Sequence, residues 1–206
     1  MENILELYGL PHNPKIPIVC FDEKPYSLLS DRYEPLPMKP GTEAREDYLY
    51  NREGTCSIFV FIQPLGGWRR AEAHKQRTRK EFAYQIEKLL LEDFPDAEKV
   101  RLVMDNLNTH TIGSLYSTFP AHHARHLASR LEIHYTPKHG SWLNIAEIEI
   151  SAMSSQCLKR RIPSIASLNH FLSVWAASRN INCNSVDWHF SASDARDKLK
   201  FLYPLL

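Results

Sequence analysis

Three short apolar runs, rich in β-branched residues, are each followed by a polar segment that carries a carboxylate. The runs cover residues 16–21, 100–104 and 133–135. The carboxylates that follow are Asp22, Asp105 and, on a helix after the third run, Glu147. Such runs predict buried strands, and an open α/β sheet binds its ligands at the carboxyl ends of its strands. The pattern therefore predicts one site built from three elements.

The remaining pattern predicts a β-hairpin and several helices around these strands. Residues 57–63 and 68–74 are the two hairpin strands, joined by a Pro-Leu-Gly-Gly turn. Thr78, with Glu81 three residues later, is a capping box that opens a helix ending near Phe94. Further helices are predicted at residues 114–131, 141–161, 164–180 and 194–202. This succession of strands and helices indicates an α/β fold.

Two segments depart from this succession. Residues 25–40 contain four of the thirteen prolines, so we expect a surface excursion there rather than a central strand. Residues 1–15 hold one or two amphipathic helical turns before a proline-containing break, and we expect them to be an N-terminal connector. The main domain is expected at residues 16–163, followed at residues 164–206 by a helical C-terminal tail that packs on it or serves in assembly.

The composition is that of one globular domain. With 206 residues, 43% of them hydrophobic, the chain can bury a full core. No apolar run reaches transmembrane length, and the acidic, amphipathic N-terminus does not resemble a secretory signal, so we expect a cytoplasmic protein with no membrane partner. The four cysteines include no C-x-x-C pair, which favours buried free thiols over zinc ligands or disulfides.

The charges are nearly balanced overall but uneven locally. The formal net charge is +1, which by itself does not indicate nucleic-acid binding. Residues 68–80, however, contain six Lys or Arg against one Glu. A local basic patch can hold phosphates even when the whole chain is close to neutral, although a solvated helix start and strand edge is an equal alternative.

The predicted carboxylates have the chemistry of a metal site. Two strand-end aspartates and a glutamate offer the oxygen ligands that hard divalent cations prefer, and they leave positions for water and a phosphate. Two Mg²⁺ ions about 3.5–4 Å apart can activate an oxygen nucleophile and stabilise the leaving oxygen of a phosphodiester. On the helix, Glu147 and Glu149 point to different faces, and helical geometry alone does not choose between them.

Three motifs together resemble a known family. They are Phe-Asp-Glu at residues 21–23, Met-Asp-Asn-Leu-Asn-Thr-His at residues 104–110, and Tyr-Thr-Pro-Lys-His-Gly-Ser-Trp-Leu-Asn-Ile-Ala-Glu at residues 135–147. In this order they closely resemble the DDE catalytic domain of bacterial mariner-like transposases of the insertion-sequence six-thirty family. The resemblance covers about residues 16–163. It implies an RNase H-like fold, a mixed central sheet flanked by helices, with Asp22, Asp105 and Glu147 as the triad, and it selects Glu147 over Glu149.

The resemblance also implies a reaction and its partners. A water activated by Mg²⁺ or Mn²⁺, with two ions expected, cuts DNA at the transposon end, and the freed 3′-hydroxyl attacks target DNA at a TA step. A homodimer on DNA, in a bacterial or archaeal nucleoid, is expected. The interval from Asp105 to Glu147 is longer than is usual, and we expect the extra residues at positions 119–127, as a surface insertion.

A second departure concerns recognition of the transposon end. A complete transposase of this family carries helix-turn-helix units ahead of its catalytic domain, and only about fifteen residues precede that domain here. A split reading frame, a truncated element and a subunit that relies on another, helix-turn-helix-containing chain are the alternatives. We therefore expect a catalytic domain whose DNA binding by itself is weak and strongly salt-dependent.

Several residues are candidates for contacts with DNA, each with a structural or merely solvated role as the alternative. The candidates are Arg69, Arg70, Lys75, Arg77, Asn106, Asn108, Lys138, His139, Trp142, Asn144, Lys159 and Arg160. His110 and His139 are further candidates for positioning a phosphate or the attacking water, and a structural hydrogen bond is the alternative. The histidines at positions 122, 123 and 126 lack a nearby Cys or carboxylate to complete a zinc site.

Two other functions are compatible with the sequence. An RNase H-like nuclease without strand transfer would use the same triad, so the residues do not separate cutting from joining. A non-enzymatic module that dimerises with, or inhibits, a full-length transposase belongs to a different class. The intact acidic triad favours the enzyme.

Overall fold

A mixed five-stranded sheet forms the centre of the molecule. The computed structural model describes residues 1–34, 36–43, 45, 47–138, 140–183 and 185–200. The strands are β1 (Ile18–Asp31), β2 (Tyr50–Gln63), β3 (Trp68–His74), β4 (Val100–Met104) and β5 (Leu131–Tyr135). Their order in the sheet is β3-β2-β1-β4-β5. The first three strands are antiparallel, whereas β4 and β5 run parallel to β1.

Helices cover both faces of this sheet. They are α1 (Glu2–Tyr8), α2 (Arg79–Lys88), α3 (Ile112–Thr118), α4 (Ala121–Ser129), α5 (Ala146–Gln156), α6 (Ile165–Ile181) and α7 (Ala192–Lys198), with a π-helical turn at Leu89–Asp93 and a 3₁₀ turn at Ser141–Leu143. Helices α2, α3 and α4 pack on one face, and α1, α5, α6 and α7 pack on the other. In the part of the chain that the structure describes, no helix is long and apolar enough to cross a bilayer.

The alternation of side chains along β1 assigns each residue to one of these two faces. Val19 and Phe21 belong to the core beneath α2, α3 and α4, where the Phe21 ring lies 4.6 Å from that of Phe61. Ile18 and Cys20 belong to the core beneath α1 and α5. Because successive strand residues point to opposite faces, Asp22 lies on the α5 side and Glu23 on the α2 side.

The first strand is longer than predicted, and this corrects the picture of Asp22 as a strand-end residue. The strand continues to Asp31, paired throughout with β2, so Asp22 lies within it. Pro25, expected in a surface excursion, is a strand residue opposite Ser57. The parallel pairing with β4 ends at Cys20, so at Pro25 the strand has a free edge, where sheets tolerate a residue without an N–H.

Two helical predictions also need correction. The helix expected at residues 141–161 is divided into the 3₁₀ turn and the shorter α5, because the chain bends at Asn144, whose side chain accepts the N–H of Ala146. Residues 119–127, expected as a surface insertion, include most of α4. Ala124 and Leu127 are fully buried against the α2 core, so this segment is part of the fold.

The N-terminal segment packs more tightly than the term connector implies. Four residues of α1 are buried, and the Tyr8 hydroxyl donates a 2.7 Å hydrogen bond to the carbonyl of Leu143. Helices α1 and α7 also meet there, since Arg196 of α7 pairs with Glu2 of α1. Three of the cysteines, at positions 20, 56 and 157, are buried free thiols, and Cys183 is exposed.

Candidate active site

Two neighbouring parallel strands bring Asp22 and Asp105 together. Cys20 of β1 is opposite Val103 of β4, and two residues further along each chain come Asp22 and Asp105. Both positions follow from the same register and the same alternation, so the two carboxylates belong to the α5 side of the sheet. Asp22 Oδ1 accepts the N–H of Glu23 at 2.7 Å, which orients its carboxylate.

The charges around Asp22 show that a third carboxylate is close. Burial raises the pKa of Asp22, and the negative charges of Asp105, Glu147 and Glu23 raise it further, against the hydrogen bond from the Glu23 N–H. The resulting pKa is about 6. The charges of Asp105 and Glu147 both act on Asp22, so the carboxylates predicted from three separate motifs lie near one another in the folded chain.

The structure separates the two glutamates of α5. Glu147 lies in the first turn of the helix with an exposed side chain, so it is free to bind a ligand. Glu149 is only 2% exposed and forms ion pairs with Arg69 at 2.9 Å and with Arg179 at 2.6 Å. Residues two apart on a helix point to different faces, which explains the contrast.

Asn144 connects the start of α5 to the strand that carries Asp22. Its Nδ2 donates to the carbonyl of Phe21 at 2.9 Å, while its Oδ1 accepts the N–H of Ala146 at 3.2 Å. The residue is 3% exposed, so its prediction as a DNA contact is wrong. Its role in the structure is to fix the helix start, and with it Glu147, relative to Asp22.

A buried histidine lies between two of the acidic residues. His110 is 1% exposed; its Nδ1 is 2.5 Å from Asp105 Oδ1 and its Nε2 is 3.1 Å from Glu23 Oε1. Burial lowers the pKa of His110, but the hydrogen bonds and charges of the two carboxylates outweigh it and raise the pKa to about 9. The ring also packs against Phe21 and Phe82, with 5.0 Å between centroids in each case.

The carboxylate set fits a hard divalent cation in its chemistry. Asp22, Asp105 and Glu147 supply only oxygen donors, and their mutual repulsion is what a cation would relieve. As the side chains stand, no group of three His, Cys, Asp or Glu residues among those described is arranged to enclose an ion. Asp105 is bonded to His110 through one oxygen, and its side chain is 48% exposed, so the second oxygen is available.

A cavity of about 410 Å³ borders Asp105. It is lined by Asp105, Asn106, Leu107, Thr136, Pro137, Lys138 and Ser141. Asn106 and Lys138, which line it, and the nearby Asn108 in the chain are all exposed. Trp142 is 41% exposed, and the edge of its ring contacts Phe190.

The predicted basic patch divides into buried and exposed residues. Arg69 is 1% exposed, and its guanidinium pairs with Glu149. Arg70 binds Asp93 at 2.7 Å and lies over the Phe61 ring. Both were predicted to contact DNA; the burial of Arg69 contradicts that prediction, and Arg70 already has a carboxylate partner within the fold.

The remaining part of the patch faces solvent. Lys75 and Arg77, in the loop between β3 and α2, are exposed. Arg77 Nη1 lies 3.7 Å from Glu23 Oε2, which brings this loop to the margin of the acidic site. These two cations, unlike those of β3, keep their side chains where a phosphate can reach them.

Other predicted contacts are placed elsewhere or lie outside the described residues. Lys159 and Arg160 are exposed just beyond the end of α5, at the opposite end of that helix from Glu147, and Arg160 lies over the Phe171 ring. His139 lies outside the described residues. His123 bonds Glu87 at 2.6 Å, an ordinary side-chain pair.

Sequence reasoning did not assign a role to Glu23. This residue is the partner of both His110 and Arg77, and its side chain is 4% exposed. The signal that could have found it is strand alternation, because the residue after Asp22 must point to the opposite face, beneath α2.

Comparisons with known proteins agree with this geometry. A family model described as DDE superfamily endonuclease matches residues 17–169. Comparison with curated protein sequences finds no match. Among solved structures, the Mos1 mariner paired-end complex with Mn is 19% identical with a TM-score of 0.57, over 89% of this chain and 56% of that one. The catalytic domain of Mos1 mariner transposase is 14% identical with a TM-score of 0.55, over 89% of this chain and 87% of that one.

These similarities bear on fold and family. The structural likeness to the Mos1 catalytic domain confirms the predicted RNase H-like α/β fold. The chain spans about half the length of the Mos1 chain in the paired-end complex. The match to the family model covers most of the sequence, including all three carboxylates. The chain therefore belongs to the DDE superfamily endonucleases.

Proposed function

We propose that this chain is the catalytic core of a transposase that cuts DNA at a transposon end and transfers the freed 3′-hydroxyl to target DNA at a TA step. Asp22, Asp105 and Glu147 are its catalytic carboxylates. The observation that carries the proposal is the placement of Asp22 and Asp105 two residues beyond the paired Cys20 and Val103 of neighbouring parallel strands, with Glu147 close enough for its charge to act on Asp22. Three acidic groups from three motifs thus share one site within a DDE endonuclease fold.

The family membership of the chain implies a divalent metal, and we propose Mg²⁺ or Mn²⁺, with two ions, on these carboxylates. The Mos1 complexes that resemble this chain include one with Mn and one with Mg. When bound, such ions supply positive charge that activates the attacking oxygen and stabilises the leaving oxygen. Asn144 fixes the helix start that carries Glu147, and the Glu23 N–H orients Asp22, so both carboxylates are held for the proposed metal site.

The DNA is proposed to lie across the cavity beside Asp105. Lys138 and Asn106 border this cavity, and the exposed Lys75 and Arg77 flank the site on the α2 side. Phosphate contacts from such side chains position DNA without reading its sequence. Trp142 offers a partly exposed ring next to the same cavity for stacking or wedging. Exposed Lys159 and Arg160, at the far end of α5, serve in the proposal as a separate phosphate-binding surface.

The proposal includes two further partners. The solved Mos1 structures contain paired transposon ends, which motivates a homodimer on DNA for this chain as well. A separate helix-turn-helix-containing chain is proposed as a candidate partner for recognition of the transposon ends. DNA binding by this chain alone is then expected to be weak and strongly salt-dependent.

A nicking assay tests the proposal. Supercoiled plasmid is incubated with Mg²⁺ or Mn²⁺ and either the wild-type chain or the triple variant Asp22→Ala/Asp105→Ala/Glu147→Ala. We expect metal-dependent nicking that the triple variant lacks. Pre-cleaved transposon ends then test joining, because strand transfer to a TA-containing plasmid separates a transposase core from a nuclease. Nicking that survives in the triple variant would refute the assigned triad.

A further inference from the structure

His110 connects two acidic residues that belong to opposite faces of the sheet. Asp105 follows β4 on the α5 side, and Glu23 points from β1 to the α2 side. The imidazole lies between them, with Nδ1 2.5 Å from Asp105 Oδ1 and Nε2 3.1 Å from Glu23 Oε1. Because carboxylate oxygens accept hydrogen bonds, both ring nitrogens are directed as donors.

The surroundings of the imidazole leave it little freedom to move. Its side chain is 1% exposed, and the rings of Phe21 and Phe82 pack against it. The backbone is also held, since the Tyr135 hydroxyl donates to the carbonyl of His110 at 2.9 Å. Asp105, in contrast, follows the end of β4 with a side chain that is 48% exposed. A buried imidazole thus holds a half-exposed carboxylate.

Glu23 is the fixed end of this chain of contacts. Its side chain is 4% exposed, and Oε2 makes no hydrogen bond to any described residue, with Arg77 Nη1 at 3.7 Å as its nearest cation. A buried carboxylate is costly unless it is paired, so its retention here calls for a specific use. Holding the second nitrogen of His110 is a use that the geometry supplies.

We infer that His110, anchored by Glu23, is a positioning residue that orients Asp105 so that Oδ1 is held and Oδ2 faces the proposed metal site. The inference rests on the proposed function, and it adds a role for two residues outside the triad. Hydrogen bonds of this kind to metal-binding carboxylates typically change metal affinity by about 10- to 100-fold when they are removed.

Two substitutions of His110 separate its effect on the orientation of Asp105 from the effect of its packing in the core. His110→Asn keeps a donor close to the position of Nδ1, facing Asp105, and loses the contact with Glu23. His110→Gln reaches the position of Nε2, facing Glu23, and loses the contact with Asp105. His123→Gln is the matched control, because His123 also bonds a carboxylate, Glu87, at 2.6 Å but on α4.

Mn²⁺ binding to the full chain, measured by calorimetry, is the main readout, and thermal unfolding in EDTA reports folding. We expect His110→Gln to weaken Mn²⁺ binding by about 10- to 100-fold, with a clearly smaller loss in His110→Asn and none in His123→Gln. Equal losses in the two His110 variants, or wild-type affinity in His110→Gln, would overturn the inference.

Glu23→Gln keeps the experiment decisive if His110→Gln does not fold. A neutral amide oxygen is a weaker acceptor than a carboxylate, so this variant loosens the hold on His110 Nε2, and we expect a loss of Mn²⁺ affinity relative to the wild type. Wild-type affinity in Glu23→Gln would overturn the role of Glu23 as the anchor.

The variant Asp22→Ala/Asp105→Ala/Glu147→Ala distinguishes failure of the inference from failure of the proposed function. If Mn²⁺ binding requires the triad but has the same affinity in the His110 variants as in the wild type, only the inference fails. If the wild type binds no Mn²⁺, or binds it without the triad, the proposed function fails and the inference fails with it.

Discussion

Two glutamates on one helix, Glu147 and Glu149, illustrate two different uses of acidic residues in this fold. Glu149 is buried between Arg69 and Arg179, which neutralise it. Glu147 is exposed and has no ion pair among the described residues; its charge acts instead on Asp22. The first carboxylate joins α5 to β3 and α6, and the second belongs to the acidic site.

The difference is electrostatic. A buried charge is retained when a partner offsets its loss of solvation, so Glu149 contributes to structure. A group of uncompensated carboxylates costs stability, and the raised pKa of Asp22 measures part of that cost. Proteins keep such groups at functional sites, where a cation or substrate supplies the missing charge. The same division applies to the cations, since Arg69 and Arg70 are paired and Lys138 is free to meet a ligand.

Removing the paired carboxylate is expected to have the largest effect on stability. Glu149→Gln leaves two guanidinium groups without their carboxylate partner, one of them fully buried, and should lower the free energy of unfolding by about 3–5 kcal/mol. Urea denaturation measures this. A loss below about 1 kcal/mol would show that the pairing is not structural.

Removing the unpaired carboxylate should change stability little and activity strongly. Glu147→Gln is isosteric and exposed, so we expect a change in unfolding free energy within about 0.5 kcal/mol. Metal-dependent nicking should nevertheless fall by at least about a hundredfold, because a proposed ligand is lost. Plasmid nicking and urea denaturation of the same preparation measure both. Wild-type nicking would contradict the assignment of Glu147.

Neutralising Asp22 should stabilise the metal-free protein in a pH-dependent way. The folded-state pKa of about 6 exceeds the ordinary value of about 3.9, so the folded chain gains stability relative to the unfolded one as pH falls from 6 to 4. Asp22→Asn should therefore be more stable than wild type by about 2–3 kcal/mol above pH 6, and the advantage should vanish near pH 4.

Thermal unfolding in EDTA between pH 4 and 8 measures this advantage. Glu6→Gln, an exposed carboxylate change on α1, is the control and should show no such dependence. An Asp22→Asn variant that is less stable than wild type at pH 8 would show that burial and repulsion of the Asp22 charge do not dominate the stability at this position.

The smallest expected effect concerns DNA affinity. Lys138→Gln should reduce the slope of log affinity against log salt by about 1, because one phosphate contact is lost. Arg70→Gln should leave the slope unchanged, since Asp93 already occupies that guanidinium. Fluorescence anisotropy with a duplex at several salt concentrations measures both. An equal reduction in the two variants would contradict the division between paired and free cations.

The sequence by itself determined the strands, the acidic positions and the family. Apolar runs located β1, β2, β4 and β5, the capping box at Thr78 is present as predicted, and three motifs identified Asp22, Asp105 and Glu147. These features are local, because strand formation and helix capping depend on residues within a few positions of one another.

Only the tertiary structure decided which charged residues are paired. The sequence alone does not distinguish Arg69 and Arg70 from Lys75 and Arg77. It does not distinguish Asn144 from Asn106 either. Their partners, Glu149, Asp93 and the Phe21 carbonyl, come from distant parts of the chain. Burial and ion pairing depend on such long-range contacts, which residue pattern does not encode.

The extent of β1 was decided in the same way. A proline at position 25 argues locally against a strand, but the pairing with β2 continues past it to Asp31 because the opposite edge is free there. The anchoring of His110 by Glu23 is also tertiary, since it joins residues 87 positions apart. Local pattern thus located the acidic groups, and long-range packing determined which of them remain uncompensated and available for chemistry.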